Sequence, residues 1–116
     1  MEQIQVTARF TAIPSGNIAE FERLATRAME ITRDEAGALQ YDWFLNDDGT
    51  QCVVREAYQD SDAVLAHVVG LGEVFGQLLE VGGGCTFEVC GDPSPELVEA
   101  TAGLQLTVHS TFLQGL

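Results

Sequence analysis

Lysine is absent from this sequence, and only five of its 116 residues are basic, all of them arginines. Eighteen acidic residues give a formal net charge of −13. A nucleic-acid-binding protein needs basic side chains to replace the counterions of the phosphates, and this chain would repel them instead. An anionic membrane surface would repel it for the same reason. The charge balance therefore predicts a protein that binds neither nucleic acid nor membranes.

The sequence has only three cysteines, and their spacing does not suggest a pair. The three cysteines form no CxxC pair of the kind that binds zinc or does redox chemistry. Cys85 and Cys90 belong to one predicted strand and lie on its opposite faces, so we expect three free thiols. No apolar run approaches the ~18 residues that span a bilayer. The first residues lack the basic region of a secretory signal, so we expect a cytoplasmic protein.

Most motifs of cofactor and nucleophile chemistry are missing as well. The sequence has no GxSxG elbow, no Walker loop and no dinucleotide fingerprint. Gly82 to Gly84 precede a predicted strand rather than a helix, so their amides cannot hold a phosphate at a helix N-terminus. His67 and His109 are the only histidines and show no ligand spacing. We therefore expect neither a metal nor a cofactor.

Hydrophobic periodicity predicts four strands and two helices in the order βαββαβ. The first helix is expected to begin at a cap on Asn17 and to end at Gly37. The second is expected to begin at Asp60 and to have a break or a close backbone approach near Gly70 and Gly72. This order is the ferredoxin-like arrangement, an α+β fold. The predicted strands are 3–11, 39–45, 52–58 and 85–90.

Residues 91–116 extend the core of residues 1–90 within a single domain, and they predict a helix capped by Ser94 and a strand over 104–112. That strand can join an edge of its own sheet or of a partner's sheet. The second sheet face carries Phe44 with either Val53 and Ala57 or Cys52 and Val54. Burying this face needs a partner, so we expect a homodimer with the extension at its interface.

His67 is the residue that most invites a catalytic interpretation. A neutral imidazole on the inner face of a helix can take a proton from a phenol-like substrate. The alternative is a core histidine that bonds to a backbone group. On a helical wheel it shares one face with Val64, Val68, Leu71, Phe75 and Leu78.

Three aromatic residues, Tyr41, Trp43 and Phe75, can line a flat apolar cavity for an aromatic ligand, or can simply pack in the core. Glu56 lies between apolar residues on one strand face. If it is buried it must be paired, either in an ion pair with an arginine (Arg9 or Arg55) or as the polar edge of a pocket.

Three stretches of the chain resemble the antibiotic biosynthesis monooxygenase family. Residues 53–67 read VVREAYQDSDAVLAH, a strand ending in Glu-x-aromatic, a capped turn and a helix with Ala-His. Residues 35–41 read EAGALQY, similar to the family's stretch from first helix to second strand. Residues 91–97 read GDPSPEL, similar to the tail of some members.

This resemblance implies a dimeric α/β barrel with a cavity between each sheet and its helices. Characterised members oxygenate aromatic polyketides or quinols with molecular oxygen and no cofactor. A haem-degrading branch uses Asn, Trp and His, but the equivalent positions here are Thr7, His67 and Gln77. The second helix also carries Gly70 and Gly72 where many members have a His, Ser-Pro and Phe run.

The resemblance thus implies a monooxygenase of a small aromatic, quinol-like compound. His67 would be its base, and Glu56 and Tyr58 would form the polar edge of a pocket with aromatic walls. The alternative function is a non-catalytic small-molecule-binding or stress-response dimer of the same fold.

Overall fold

A five-stranded sheet carries all the helices on one side in the computed structural model, which describes residues 2–116. The spatial order is β2-β3-β1-β4-β5; the first four strands are antiparallel and β5 runs parallel to β4. The predicted α+β, ferredoxin-like fold is confirmed. The strands are β1 (Ile4–Phe10), β2 (Ala38–Leu45), β3 (Cys52–Tyr58), β4 (Thr86–Cys90) and β5 (Gln105–His109). The helices are α1 (Ile18–Thr32), α2 (Ser61–Leu71), α3 (Glu73–Val81) and α4 (Pro95–Ala100).

Strict alternation in β1 determines which sheet face is buried. Ile4, Val6, Ala8 and Phe10 all face the helices and are at most 8% exposed. Burying side chains of the size of valine, isoleucine or phenylalanine contributes about 1.5–3 kcal/mol each, so this one strand anchors much of the core. From the helix side, Phe21, Leu24 and Ala28 of α1 close over it.

The outer sheet face carries Phe44, Val53 and Ala57, the first of the two alternatives. Residue Val53 lies opposite Phe44 in the β2–β3 register, and Phe44 is 57% exposed. Cys52 and Val54 instead face the helices and are buried. Of these three residues Phe44 is exposed, Val53 is half-buried and Ala57 is buried.

The predicted start of α1 is confirmed, and its predicted end is wrong. The helix ends at Thr32 rather than at Gly37, because residues 33–37 turn back toward the sheet. Gly37 is needed for close packing: a Cβ there would lie 2.5 Å from the Cβ of Ala63. Asn17 stands at the N-cap position without a capping bond, since its side chain donates to the carbonyl of Val81 at 3.0 Å.

The second predicted helix is broken in two at Gly72. Its φ of 53° lies in a region that other residues rarely adopt, and α2 and α3 meet there at 78°. Asp60 caps α2 as expected, accepting a hydrogen bond from the Ala63 amide at 2.8 Å. Among the described residues, no single helix is both long enough and apolar enough to cross a membrane.

The C-terminal extension joins its own sheet. Ser94 caps α4 through the amide of Leu97, as predicted. The fifth strand ends at His109, three residues earlier than the predicted strand over 104–112, and pairs with β4 of the same chain. Beyond it, Phe112, Leu113 and Leu116 are exposed.

Candidate active site

An apolar cavity of about 230 Å³ lies between the inner sheet face and α2, α3 and α4. Most of its walls are aliphatic or aromatic side chains, and residues of the C-terminal extension close one side. Five of the residues singled out from the sequence line it: Tyr41, Trp43, Glu56, His67 and Phe75. The sixth, Tyr58, does not line the cavity, because it is fully buried in the core beside Glu56.

His67 projects inward from α2 and is 5% exposed. Its Nδ1 lies 3.0 Å from Oε1 of Glu35 and 3.4 Å from Oγ1 of Thr32. The Thr32 hydroxyl already donates to the carbonyl of Ala28 at 2.8 Å, so its oxygen presents lone pairs to the ring. Both neighbours of Nδ1 are therefore acceptors. The hydrogen of the neutral imidazole belongs on Nδ1, and Nε2 is left unprotonated.

The free nitrogen faces Glu56. Nε2 of His67 lies 3.9 Å from Oε1 of Glu56, which is too long for a hydrogen bond and leaves a gap between the two groups. Glu56 is held by Tyr58, whose hydroxyl donates to the same Oε1. The two side chains come from α2 and β3, and both are wall residues of the cavity.

Burial moves the pKa values of these two groups in opposite directions. Desolvation raises the pKa of Glu56 to about 7; the Tyr58 hydrogen bond opposes this and the charge of Glu35 adds to it. Desolvation lowers the pKa of His67, while Glu35 opposes the shift. Burial thus favours the uncharged form of both groups, a neutral imidazole and a protonated carboxyl. Burial also raises the pKa of Tyr41 and of Tyr58 far above the ordinary tyrosine range.

Aromatic rings fix the plane of the imidazole. Tyr41 meets the His67 ring edge-on with centroids 5.0 Å apart, and the Tyr58 ring is tilted by 44° against it with centroids 5.2 Å apart. The Trp43 ring packs in turn against Tyr41 at 5.6 Å. Edge-to-face pairs at such distances contribute about 0.5–1.5 kcal/mol each beyond burial, so the ring of His67 is held rather than free to rotate.

Sequence reasoning missed Glu35, Thr32 and the purpose of Gly70. A Cβ on Gly70 would lie 3.1 Å from Oε2 of Glu35, so this glycine makes room for the carboxyl that holds His67. The signal was present: Gly70 follows His67 by three residues, which places both on one helix face. Of the two predicted alternatives, a break or a close backbone approach, the break is found at Gly72, and the neighbours of Gly70 are the side chains of Glu35 and Ile31.

The prediction that an arginine forms an ion pair with Glu56 is wrong. Arg9 lies on the outer sheet face and bonds to Glu88 at 3.3 Å, and no arginine lines the cavity in the described part of the chain. Among residues 2–116, no cluster of His, Cys, Asp and Glu could hold a metal ion. The three positions compared with the haem-degrading branch do not form one site, because His67 lines the cavity and Thr7 and Gln77 do not.

A known protein family matches this sequence. The model of the antibiotic biosynthesis monooxygenase family matches residues 4–69, more than half of the chain, including Glu35, Glu56 and His67. The chain belongs to the antibiotic biosynthesis monooxygenase family. The resemblance stated from the sequence is thereby confirmed. The sequence has no match among curated proteins.

Solved structures share the fold of this family member. MupZ from Pseudomonas fluorescens has a TM-score of 0.82 at 21% identity, over 100% of this chain and 95% of its own. Rv0793 from Mycobacterium tuberculosis has a TM-score of 0.69 at 22% identity, over 79% and 96%. A mutant of SnoaB, a cofactor-independent oxygenase from Streptomyces nogalater, has a TM-score of 0.56 at 18% identity, over 77% and 89%. At these identities the likeness shows the fold alone.

Proposed function

We propose that this protein is a cofactor-independent monooxygenase that acts on a small aromatic, quinol-like compound with molecular oxygen. The observation that carries the proposal is the unprotonated Nε2 of His67 on the wall of an apolar cavity. Family membership and the activity of SnoaB support this class of reaction.

In this reaction His67 removes the hydroxyl proton of the substrate. The resulting phenolate is electron-rich enough to pass an electron to oxygen, and the apolar walls keep water from the intermediates. Glu35 keeps the ring in the productive tautomer, through the bond to Nδ1. Tyr41, Trp43 and Phe75 are the flat walls against which an aromatic ring packs.

The size of the cavity limits the substrate. Its volume of about 230 Å³ is below the ~300–1,000 Å³ of pockets that hold drug-sized ligands. The ligand is therefore a compound of one or two fused rings. Glu56, held by Tyr58, supplies the polar edge that orients its hydroxyl or carbonyl group.

The working unit of this proposal is a homodimer. The described chain exposes 7061 Å², about 900 Å² more than the ~6,200 Å² expected for a monomer of this size. The exposed tail, in which Leu113 is 90% exposed, contributes to that excess, and a standard interface would bury ~800 Å² of each partner. Apolar residues on the outer sheet face and in the tail, Phe44 and Phe112 among them, are available for it.

Oxygen consumption with a panel of quinols tests the proposal, and His67→Gln is the decisive variant. Glutamine keeps the size and a hydrogen bond but removes the basicity, so oxygen uptake should fall about a hundredfold or more while the melting temperature changes little. His109→Gln is the matched control, because His109 is exposed at the end of β5. Ligand binding without oxygen uptake would instead support the non-catalytic alternative.

A further inference from the structure

We propose that Glu56 and His67 form a general acid and general base pair that interconverts the keto and enol forms of a small neutral ketone. This activity goes beyond the proposed oxygenation, since it needs no oxygen, and it uses the same cavity.

The geometry brings the two groups to one point. Glu56 projects from β3 and His67 from α2, and their nearest polar atoms are 3.9 Å apart with no bond between them. Both line the cavity, so one substrate fragment can contact the two groups together. Each has a support on its far side: Tyr58 bonds to Glu56, and Glu35 bonds to Nδ1 of His67. Such supports fix catalytic side chains in position before the substrate binds.

The protons are distributed as the reaction requires. Acceptors on both sides of Nδ1 leave Nε2 as the basic atom, while burial favours the protonated, uncharged carboxyl of Glu56. An ion pair of imidazolium and carboxylate would have to be desolvated in an apolar cavity, and this favours the neutral pair. Two groups whose environments separate their protonation states are the usual signature of an acid and a base.

The step is balanced without any further reagent. Nε2 of His67 takes the proton from the carbon next to the carbonyl, and the C–H electron pair becomes the C=C bond. The π pair of the carbonyl moves onto its oxygen, which receives the proton of Glu56. The enol and an imidazolium–carboxylate pair result. The reverse step returns both protons and restores the ketone, with no change in oxidation state.

The lining determines the charge of the substrate. Glu56 is the acidic residue of the lining, and no arginine of the described residues lines the cavity, so an anionic ligand would be left unpaired. The pocket also limits the ligand to about two fused rings. A neutral bicyclic ketone with an acidic C–H bond, such as 2-tetralone, meets both conditions.

Exchange of deuterium into 2-tetralone, followed by NMR in anaerobic D2O, measures this reaction. The wild-type protein should exchange the carbon-bound protons faster than buffer. His67→Gln and Glu56→Gln should each lower the rate about a hundredfold, the lower range for one acid or base. Glu30→Gln, an exposed change of the same type on α1, should leave it unchanged. No exchange above buffer, or full exchange in Glu56→Gln, would overturn the proposal.

The pH profile separates catalysis from a structural effect. Four groups face Glu56: Tyr58 on its own strand, Tyr41 on β2, His67 on α2 and Glu35 after α1. The rate should fall above about pH 7 as Glu56 loses its proton, and should fall in acid as His67 gains one. Tyr58→Phe removes a bond that lowers the pKa of Glu56, so the upper limb should move to higher pH. An upper limb that stays in place would contradict the role of Glu56.

The two proposals can fail separately. Deuterium exchange without oxygen consumption in the presence of any quinol would refute the proposed monooxygenase activity and leave the proposed acid–base pair standing. Oxygen uptake without anaerobic exchange would do the reverse.

Discussion

Thr32 and Glu35 decide which nitrogen of His67 is the base, because both present acceptor oxygens to Nδ1. Neither residue could be assigned to the site from the sequence. Glu35 follows a helix in a polar turn, where a carboxyl is normally solvated, and only the turn of residues 33–37 brings it inward. His67 itself could be singled out, since its helical face is otherwise apolar.

Glu35→Gln should weaken the base without removing it. A glutamine amide can donate to Nδ1, which would favour the tautomer with its hydrogen on Nε2. Loss of the charge should also lower the pKa of His67 further, because Glu35 at present raises it. Nitrogen-15 NMR of the imidazole reports both the tautomer and the pKa. Spectra identical to those of Glu30→Gln and of the wild type would refute the positioning role of Glu35.

Two glycines on neighbouring helices offer a matched test of the space for Glu35. A Cβ at Gly76 meets nothing within 4 Å, so Gly76→Ala should stabilise the fold by about 0.5–1 kcal/mol. Gly70→Ala should gain less stability and should lower oxygen uptake, because its Cβ crowds the Glu35 carboxyl that holds His67. Chemical unfolding and initial rates measure the two effects. Equal stability and activity in both variants would show that Gly70 has no such role.

At the level of helices and strands, regular patterns were predicted well and irregular ends poorly. The β2–β3 hairpin agrees with its prediction within one residue at each end, since alternating burial fixes its register. The ends of α1 and β5 were misplaced because tertiary contacts set them: Gly37 packs on Ala63, and β4, the neighbour of β5, ends at Cys90. The sequence pattern alone could not decide whether the second helix is broken, because the break depends on the φ of 53° at Gly72.

Gly72→Ala should destabilise the protein by more than about 1 kcal/mol. The backbone at φ 53° and ψ −126° is strained for a residue with a Cβ, and the 78° bend that carries Phe75 toward the cavity depends on it. The midpoint of urea unfolding should fall, whereas it should rise in Gly76→Ala on the next helix. A stabilised Gly72→Ala protein would mean that the bend is set by packing and not by the glycine.

At the level of the whole molecule, the extension closes the chain's own cavity, and its place at a dimer interface stays a prediction. Residues between Pro93 and Val108 line that cavity, and β5 adds its edge to the sheet. The sequence could not show this, because a short strand can pair with any free edge. What remains exposed is Phe44 on the outer sheet face and the tail beyond His109.

The protein should be a dimer at micromolar concentration, and Phe44→Asp should make it a monomer. An aspartate carboxylate buried in an apolar interface would have no opposite charge to pair with, and its desolvation is costly. The apolar contact that holds the dimer should therefore be lost. Val69→Asp is the control, because Val69 is 80% exposed on α2, away from the sheet. Light scattering should give twice the monomer mass for the wild type and for Val69→Asp. A folded wild-type monomer, or a Phe44→Asp dimer of unchanged affinity, would show that this sheet face is free in solution.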